Sequence, residues 1–187
     1  MTWKVIFVER GIYMNFNLKE AIEILEHTPQ TLEKFLSGLS EGWLQCNEGE
    51  GTWNTSEVIE HLIEAEKNNW IPRLEFILQE GKGQAFPPFD RYAHLHKEST
   101  SSIEEKLLEF NMIRMQNTQQ LKLLIKHEKL LEVRGAHPEF GEVKVRELLS
   151  TWVAHDLTHI TQIVRVMAER YREDVGPWEE YLGILKK

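Results

Sequence analysis

Near its carboxyl end the chain reads Trp152-Val153-Ala154-His155-Asp156-Leu157-Thr158-His159-Ile160-Thr161-Gln162. Two histidines four residues apart lie one turn apart on the same face of a helix. Steps of three or four residues from this pair reach a series of apolar side chains: Val145, Leu148, Trp152, Ile163 and Val166. The segment therefore predicts an amphipathic helix, and both histidines belong to the stripe that faces the protein interior.

Three more amphipathic segments are expected to pack against this helix, which itself runs from about Val143 to Tyr171 before Gly176-Pro177. They run from Asn17 to about Gly38, from Asn54 or Thr55 to about Glu80 with a kink at Pro72, and from Ser101 or Ser102 to about Leu131. Between them we expect a loop over 40–53, a surface connection over 81–98 and a turn-rich segment over 133–141. No convincing run of alternating residues predicts strands. The predicted fold is all-α, a four-helix bundle with long connections between its helices.

Composition limits the classes of protein that need to be considered. The 187 residues include 22 Lys and Arg and 30 Asp and Glu, a formal charge of −8, with 41% hydrophobic residues. This balance predicts one folded domain and argues against nucleic acid or an anionic membrane as the main partner. The apolar run in residues 1–13 is too short for a signal-peptide core, so a cytoplasmic protein is expected. We interpret 1–13 as an extension upstream of Met14, and 14–187 as a single helical-bundle domain.

The chain has one cysteine and eight histidines. Cys46 alone cannot form an internal disulfide or a cysteine-based zinc site. Five of the histidines have ordinary explanations on the surface, in solvated loops or in turns: His27, His94, His96, His127 and His137. Arg91 and Arg114 are expected to pair with acidic side chains rather than with a substrate anion.

The other three histidines suggest a metal site. His155 and His159 can reach one ion from adjacent helical turns, and a third ligand should come from a facing helix. His61 shares a stripe with Val58, Leu62 and Ala65 on the second helix. Three protein ligands leave coordination positions open, as in a site that binds water or substrate. The alternative is that each is a core histidine hydrogen-bonded to a carbonyl or carboxylate group.

The segment His155-Asp156-Leu157-Thr158-His159 also resembles the His-Glu-x-x-His helix of zinc metalloproteases. Asp156 takes the place of the glutamate that acts as the general base there. The longer metzincin pattern needs Gly and His where this chain has Gln162 and Arg165. Glu179 is a more distant candidate ligand, beyond the Gly-Pro break. These departures disfavour the protease interpretation.

The sequence resembles the DinB-like superfamily of bacterial four-helix metal proteins, which includes thiol-dependent S-transferases. The resemblance covers nearly the whole chain from Met14. It rests on residues 51–62 (GTWNTSEVIEHL), 88–91 (PFDR) and 153–163 (VAHDLTHITQI). It implies a triad of one histidine in the second helix and two in the fourth, which here are His61, His155 and His159. It also implies a divalent metal, a homodimer and, in some relatives, a low-molecular-weight thiol as cosubstrate.

The leading functional hypothesis is a metal-dependent thiol S-transferase or hydrolase that acts on a small molecule, with a water or thiol activated at the metal. The alternative is a non-catalytic metal- or ligand-binding protein of a stress response. Zinc is the first choice for three neutral imidazoles, and nickel, iron, copper or manganese are alternatives. Glu57 and Asp156 are weak catalytic candidates for orienting an imidazole or moving a proton, and Gln162 is a third weak candidate that would line the same cavity. The simpler explanations are a carboxylate in the first helical turn for Glu57 and a pairing with a neighbouring helix for Asp156, and a core hydrogen bond explains Gln162 equally well.

Overall fold

Side-chain hydrogen bonds fix the first residues of three long helices in the computed structural model, which describes residues 16–96 and 100–186. Asn17 accepts backbone N–H groups at the start of the first helix. Asn54 and Glu57 form a reciprocal capping box, and so do Ser102 and Glu105. These pairs satisfy N–H groups that have no partner within the helix, and they confirm three of the predicted helix starts.

The helices and strands follow one another in a simple order. The helices are α1 (Leu18–Leu36), α2 (Glu41–Leu44), α3 (Thr55–Asn68), α4 (Trp70–Glu80), α5 (Ile103–Leu124) and α6 (Val145–Glu169). The strands are β1 (Arg134–His137) and β2 (Gly141–Lys144). Four short 3₁₀ helices cover Ala93–His96, Glu128–Glu132, Gly176–Tyr181 and Gly183–Leu185.

The long helices form the predicted four-helix bundle. Both α1 and α3 pack against both α5 and α6, so neighbours in the bundle alternate between the two halves of the chain. One apolar cluster lies around the stacked indoles of Trp70 and Trp152, and another joins Leu36, Leu62 and Phe110. The packing of α3 beside α6 is what brings His61 to the histidine pair of α6.

The predicted second helix is divided in two at Asn69. The backbone of Asn69 stays in the right-handed helical region but departs from regular α-helical angles, with φ −115° and ψ −65°, and α4 begins at the next residue. The break lies three residues before Pro72, because proline removes a backbone donor and crowds the preceding turn. The expected distortion is therefore present, as a break between α3 and α4 rather than a kink within one helix.

Two predictions about the second half of the chain are wrong. The third long helix ends at Leu124 rather than near Leu131, and the chain folds back as the 3₁₀ segment Glu128–Glu132 against α6, which buries Leu131. The turn-rich segment 133–141 forms most of an antiparallel hairpin of β1 and β2. Each strand has only four residues and lacks apolar alternation, so the usual sequence signal of a strand is missing.

The hairpin is seated against α4 through a glycine. A Cβ atom added to Gly135 would lie 2.5 Å from Cγ1 of Ile77, so no larger residue fits without a shift. The Phe86 N–H also donates to the Ala136 carbonyl oxygen at 3.1 Å, which ties the 81–92 connection to β1. The hairpin and this connection thereby enclose a space beside α4.

Two other expectations concern the amino-terminal half. The 40–53 loop contains the one-turn helix α2, and the rest of it is irregular. The proposed extension over 1–13 lies outside the described residues.

Candidate metal centre

The three predicted histidines come together between α3 and α6. His61 lies in the second turn of α3, and His155 and His159 lie one turn apart on α6. The Nε2 atom of His155 is 3.1 Å from Nε2 of His61 and 3.2 Å from Nε2 of His159. Around a tetrahedral zinc ion with Zn–N bonds of about 2.05 Å, ligand nitrogens are separated by about 3.3 Å. His155 thus has the spacing of a shared ligand set with each of its two neighbours, and all three ligand atoms lie within 4.8 Å of one another.

Hydrogen bonds at the other ring nitrogens fix two of the imidazoles. The Nδ1–H of His61 donates to the Arg91 carbonyl oxygen at 3.1 Å, and the Nδ1–H of His159 donates to Oε1 of Gln162 at 2.8 Å. With the ring proton on Nδ1, each Nε2 carries a lone pair. A partner of this kind on the second nitrogen is usual for histidines that bind metals.

The arrangement fits a cation better than a hydrogen-bond network. His155 can donate one proton from Nε2 to either neighbour, which leaves the other lone pair unsatisfied. Its Nδ1 is buried and has no hydrogen-bond partner among the described residues. A shared divalent ion would satisfy all three Nε2 atoms together, so the residues present suit a metal. Within the described residues, His61, His155 and His159 form the group of three or more potential metal ligands that lie close enough together to hold one ion.

Burial keeps these imidazoles neutral. Burial, followed by the charge of the neighbouring His159, lowers the pKa of His61 to about 3 and that of His155 to about 2. Burial also lowers the pKa of His159. Because a metal binds the neutral imidazole, the site is ready to act as a ligand set at neutral pH.

The carboxylates proposed as catalytic candidates are engaged elsewhere. Glu57 accepts the Asn54 N–H at 2.8 Å as part of the α3 capping box. Asp156 is fully buried and accepts hydrogen bonds from both terminal nitrogens of Arg114, at 2.6 and 2.9 Å. Arg114 also pairs with Glu66 at 2.9 Å, which confirms that it pairs with acidic side chains. The simpler explanations of Glu57 and Asp156 therefore hold, and only Gln162 of the three candidates contacts a triad histidine.

The protease-like interpretation fails on the same geometry. A carboxylate that acts as a general base would have to face the bound ion, whereas Asp156 forms a buried ion pair with Arg114. Glu179, the more distant candidate ligand, forms an ion pair with Arg172 instead.

His94 was expected to be a solvated loop histidine, and this prediction is wrong. The Ala93–His96 segment packs on α3, and His94 is only 2% exposed. Its ring centroid lies 4.5 Å from that of Trp53 and 5.3 Å from that of His61. Neither ring nitrogen has a hydrogen-bond partner among the described residues. Nothing in the local sequence signals this, because its burial depends on how the long connection folds back over α3.

The other assignments of single residues mostly stand. His27, His96 and His127 are exposed, and His137 shapes the hairpin turn by accepting two backbone N–H groups. Burial raises the pKa of the Cys46 thiol despite the nearby Arg170, so this cysteine is a poor thiolate at neutral pH.

A cavity of about 480 Å³ reaches the triad. All three histidines contribute to its lining, together with Trp53 and Trp70. Its far wall comes from the start of α4, the 81–92 connection and the hairpin, through Arg73, Phe86, His137 and Phe140. The volume is in the range of small-molecule sites. Arg73 and Phe86 were not recognised from the sequence, because they reach the cavity only through the hairpin and the connection.

In the described residues no helix has the length and apolar character needed to cross a membrane.

Comparison with known proteins agrees with the fold. No curated protein matches the sequence significantly. Among solved structures, the chain is similar to YfiT from Bacillus subtilis, described as a probable metal-dependent hydrolase with an unusual four-helix bundle topology. The TM-score is 0.69 at 21% sequence identity, and the match covers 84% of this chain and 87% of that one.

A family model matches much of the sequence as well. The model of the DinB superfamily matches residues 24–163, well over half of the 187 residues, and this range includes all three triad histidines. The chain therefore belongs to the DinB superfamily.

Proposed function

We propose that this protein is a metal-dependent enzyme of the hydrolase or thiol S-transferase type, which acts on a small molecule. His61, His155 and His159 would hold one divalent ion through their Nε2 atoms. The observation that carries the proposal is the convergence of these atoms at 3.1 and 3.2 Å on the wall of a cavity. The similarity to YfiT and the membership of the DinB superfamily are consistent with this proposal.

The position of the triad supports an active rather than a purely structural site. Three protein ligands leave at least one coordination position, and the cavity gives a small molecule access to it. A divalent ion held there supplies a Lewis acid that lowers the pKa of a water or thiol ligand. The chain itself contributes orientation, because the Arg91 carbonyl group and Gln162 hold the His61 and His159 rings in place.

The two reaction types place different demands on the chain. Hydrolysis needs only water as the second reactant. Thiol transfer needs a thiol in the cavity, and Cys46 does not line it. A transferase reaction would therefore use a low-molecular-weight thiol as a separate cosubstrate.

Zinc is the metal we propose, because three neutral imidazoles suit it and the two distances from His155 Nε2 match those around a tetrahedral zinc ion. Nickel, iron, copper and manganese remain outcomes of the test, since imidazole also binds these ions.

Metal content tests the shared premise. We expect the purified protein to bind about one equivalent of divalent metal per chain, and single alanine substitutions at His61, His155 or His159 to lower that content severalfold. Substitution of the exposed His127 by alanine is the matched control and should leave metal content unchanged. Equal metal content in the triad variants and the wild type would refute the site.

Activity separates the enzyme from the binding protein. Metal-loaded protein is assayed with p-nitrophenyl acetate, and with a low-molecular-weight thiol plus 1-chloro-2,4-dinitrobenzene. Turnover that requires the metal and is lost in His159→Ala supports the enzyme. Stoichiometric metal binding without turnover in either assay would favour a non-catalytic metal- or ligand-binding protein.

A further inference from the structure

The hairpin side of the cavity contains a cation with no counter-ion in contact. Arg73 is half-buried on the cavity wall, and its guanidinium makes no hydrogen bond or ion pair with any residue that the structure describes. Burial lowers the pKa of Arg73, and the negative charge of Glu139 offsets only part of that effect, so the charge is held at some cost in free energy. Half-buried cations usually have an anionic partner in contact, and Glu139 acts on Arg73 without a hydrogen bond or ion pair, so the guanidinium is still free to bind an anionic ligand.

Phe86 fixes the plane of this guanidinium. The Cζ atom of Arg73 lies 4.7 Å from the centre of the Phe86 ring, which is itself only 2% exposed. Stacking covers one face of the guanidinium and leaves its N–H edges in the plane. An edge of this kind is the part of arginine that binds a carboxylate with two parallel hydrogen bonds.

His137 supplies a second donor beside the same ring. Its Nδ1 accepts the Glu139 and Phe140 backbone N–H groups at 3.0 and 3.2 Å. In the neutral imidazole the proton must then be on Nε2, which has no partner among the described residues. The His137 ring packs edge-on against Phe86, with centroids 5.1 Å apart. Two donors therefore flank one buried aromatic ring.

The adjoining wall contains more unsatisfied polar groups. Oδ1 of Asn69 and Nε1 of Trp70 lack hydrogen-bond partners within the described ranges, although the two residues are only 5% and 3% exposed. Both residues line the cavity, and Arg73 lies one turn further along α4. Buried polar groups without partners are uncommon in folded proteins, which is further evidence that this wall is built to receive a ligand.

We propose that Arg73 and the Nε2–H of His137 form an oxyanion subsite, and that the substrate is a small molecule with one carboxylate group on an apolar body. The inference rests on the proposed function, which places the reacting group of that molecule at the triad. The apolar body would contact apolar side chains that line the same cavity, which are Phe89, Phe140, Val143 and Leu148.

Charge on the cavity wall favours a monoanion. Glu139 and Glu147 line the same cavity as Arg73. Glu147 accepts the Lys144 backbone N–H at 2.8 Å, and Glu139 lies on the exposed hairpin turn and interacts electrostatically with Arg73. A dianionic phosphate group would place a second negative charge near these carboxylates, whereas a carboxylate matches the single positive charge of Arg73.

The test uses three probes with the same phenylethyl body: 3-phenylpropionate, its neutral amide and 2-phenylethylphosphonate. Calorimetric titration of the full chain should show that the carboxylate binds about tenfold or more tightly than the amide. Arg73→Met should remove this preference and leave the affinity for the amide unchanged, which also shows that the variant retains the cavity. Arg73→Lys should retain part of the preference, because it keeps the charge and loses the planar edge.

Arg91→Met is the matched control, because Arg91 is the other arginine on the cavity wall and the change in charge is identical. It should keep the preference for the carboxylate. The subsite is refuted if Arg73→Met keeps the preference, if Arg91→Met removes it, or if no probe binds at millimolar concentration. Tighter binding of the phosphonate than of the carboxylate would contradict the assignment to a monoanion.

Repeating the titrations after removal of metal by a chelator separates this inference from the proposed function. We expect the effect of Arg73→Met to persist without metal. If the preference for the carboxylate disappears with the metal and is unchanged in Arg73→Met, the subsite is overturned and the metal centre is supported. A preference that depends on Arg73 in a protein that binds no metal would support the subsite while the proposed function fails.

Discussion

The carboxylate of Asp156 accepts hydrogen bonds from both terminal nitrogens of Arg114, at 2.6 and 2.9 Å, immediately next to His155 in the sequence. Both side chains are at most 1% exposed. This buried pair anchors α6 to α5, while the adjacent His155 is part of the triad. The neighbour of a metal-ligand candidate is thus used for stability rather than for proton transfer.

Asp156→Asn should therefore destabilise the fold more than it affects the metal centre. Removing one partner of a buried ion pair typically costs about 3 kcal/mol or more. We expect a loss of that size in chemical denaturation, with about one equivalent of metal still bound to the folded variant. Asp174→Asn, at an exposed carboxylate, is the control and should change stability little. Full stability in Asp156→Asn would contradict this assignment.

Gln162 is predicted to act through His159. Replacing it with leucine removes the acceptor of the His159 Nδ1–H, and such changes usually weaken metal binding by about ten- to a hundredfold. Competition with a chromophoric chelator measures the change. Gln162→Glu keeps an acceptor and should retain most of the affinity. The hypothesis fails if the leucine and glutamate variants bind metal equally well.

Gly135 is predicted to be required for hairpin docking. Gly135→Ala places a methyl group against Ile77 and should cost about 1–3 kcal/mol of unfolding free energy. Gly183→Ala is the matched control, since nothing lies within 4 Å of its added Cβ. Combining Gly135→Ala with Ile77→Ala should remove the clash, so the double variant should lose less unfolding free energy than the sum of the two single variants. A loss equal to that sum would argue against direct contact.

Metal-free protein should lose stability on mild acidification. Above pH 6.5, the ordinary histidine pKa, these imidazoles are neutral in both the folded and the unfolded chain. Between about pH 6.5 and 3 the unfolded chain binds protons that folded His61 and His155 do not, so the unfolded state gains stability as pH falls. Denaturation at several pH values should show a shallower loss in His155→Ala than in the wild type. His127→Ala should follow the wild type, and identical slopes in all three proteins would contradict the prediction.

The long helices and the triad were predictable because their signals are local. Capping residues such as Asn54 and Ser102 mark helix starts, and the four-residue spacing of His155 and His159 places both on one face. His61 follows from the same periodicity on another helix. Each of these inferences needs only the geometry of a single helix and the expectation that apolar faces meet.

The rest of the site depends on long connections, which have no such periodicity. His94 is buried only because the 3₁₀ turn folds over α3, and Arg73 faces a cavity only because the hairpin closes it. The hairpin strands carry little apolar pattern, and their position depends on the contact between Gly135 and Ile77. These features arise from tertiary contacts between distant segments, so local sequence patterns do not reveal them.

X-ray absorption spectroscopy at the zinc edge measures directly whether His61, His155 and His159 bind one ion. We expect the zinc-loaded protein to show three imidazole nitrogens at about 2.0–2.1 Å and at least one exchangeable light-atom ligand. His159→Ala should lower the imidazole number by one or abolish the bound zinc. A sulfur ligand at about 2.3 Å, or an imidazole number that the loss of His159 leaves unchanged, would contradict the triad.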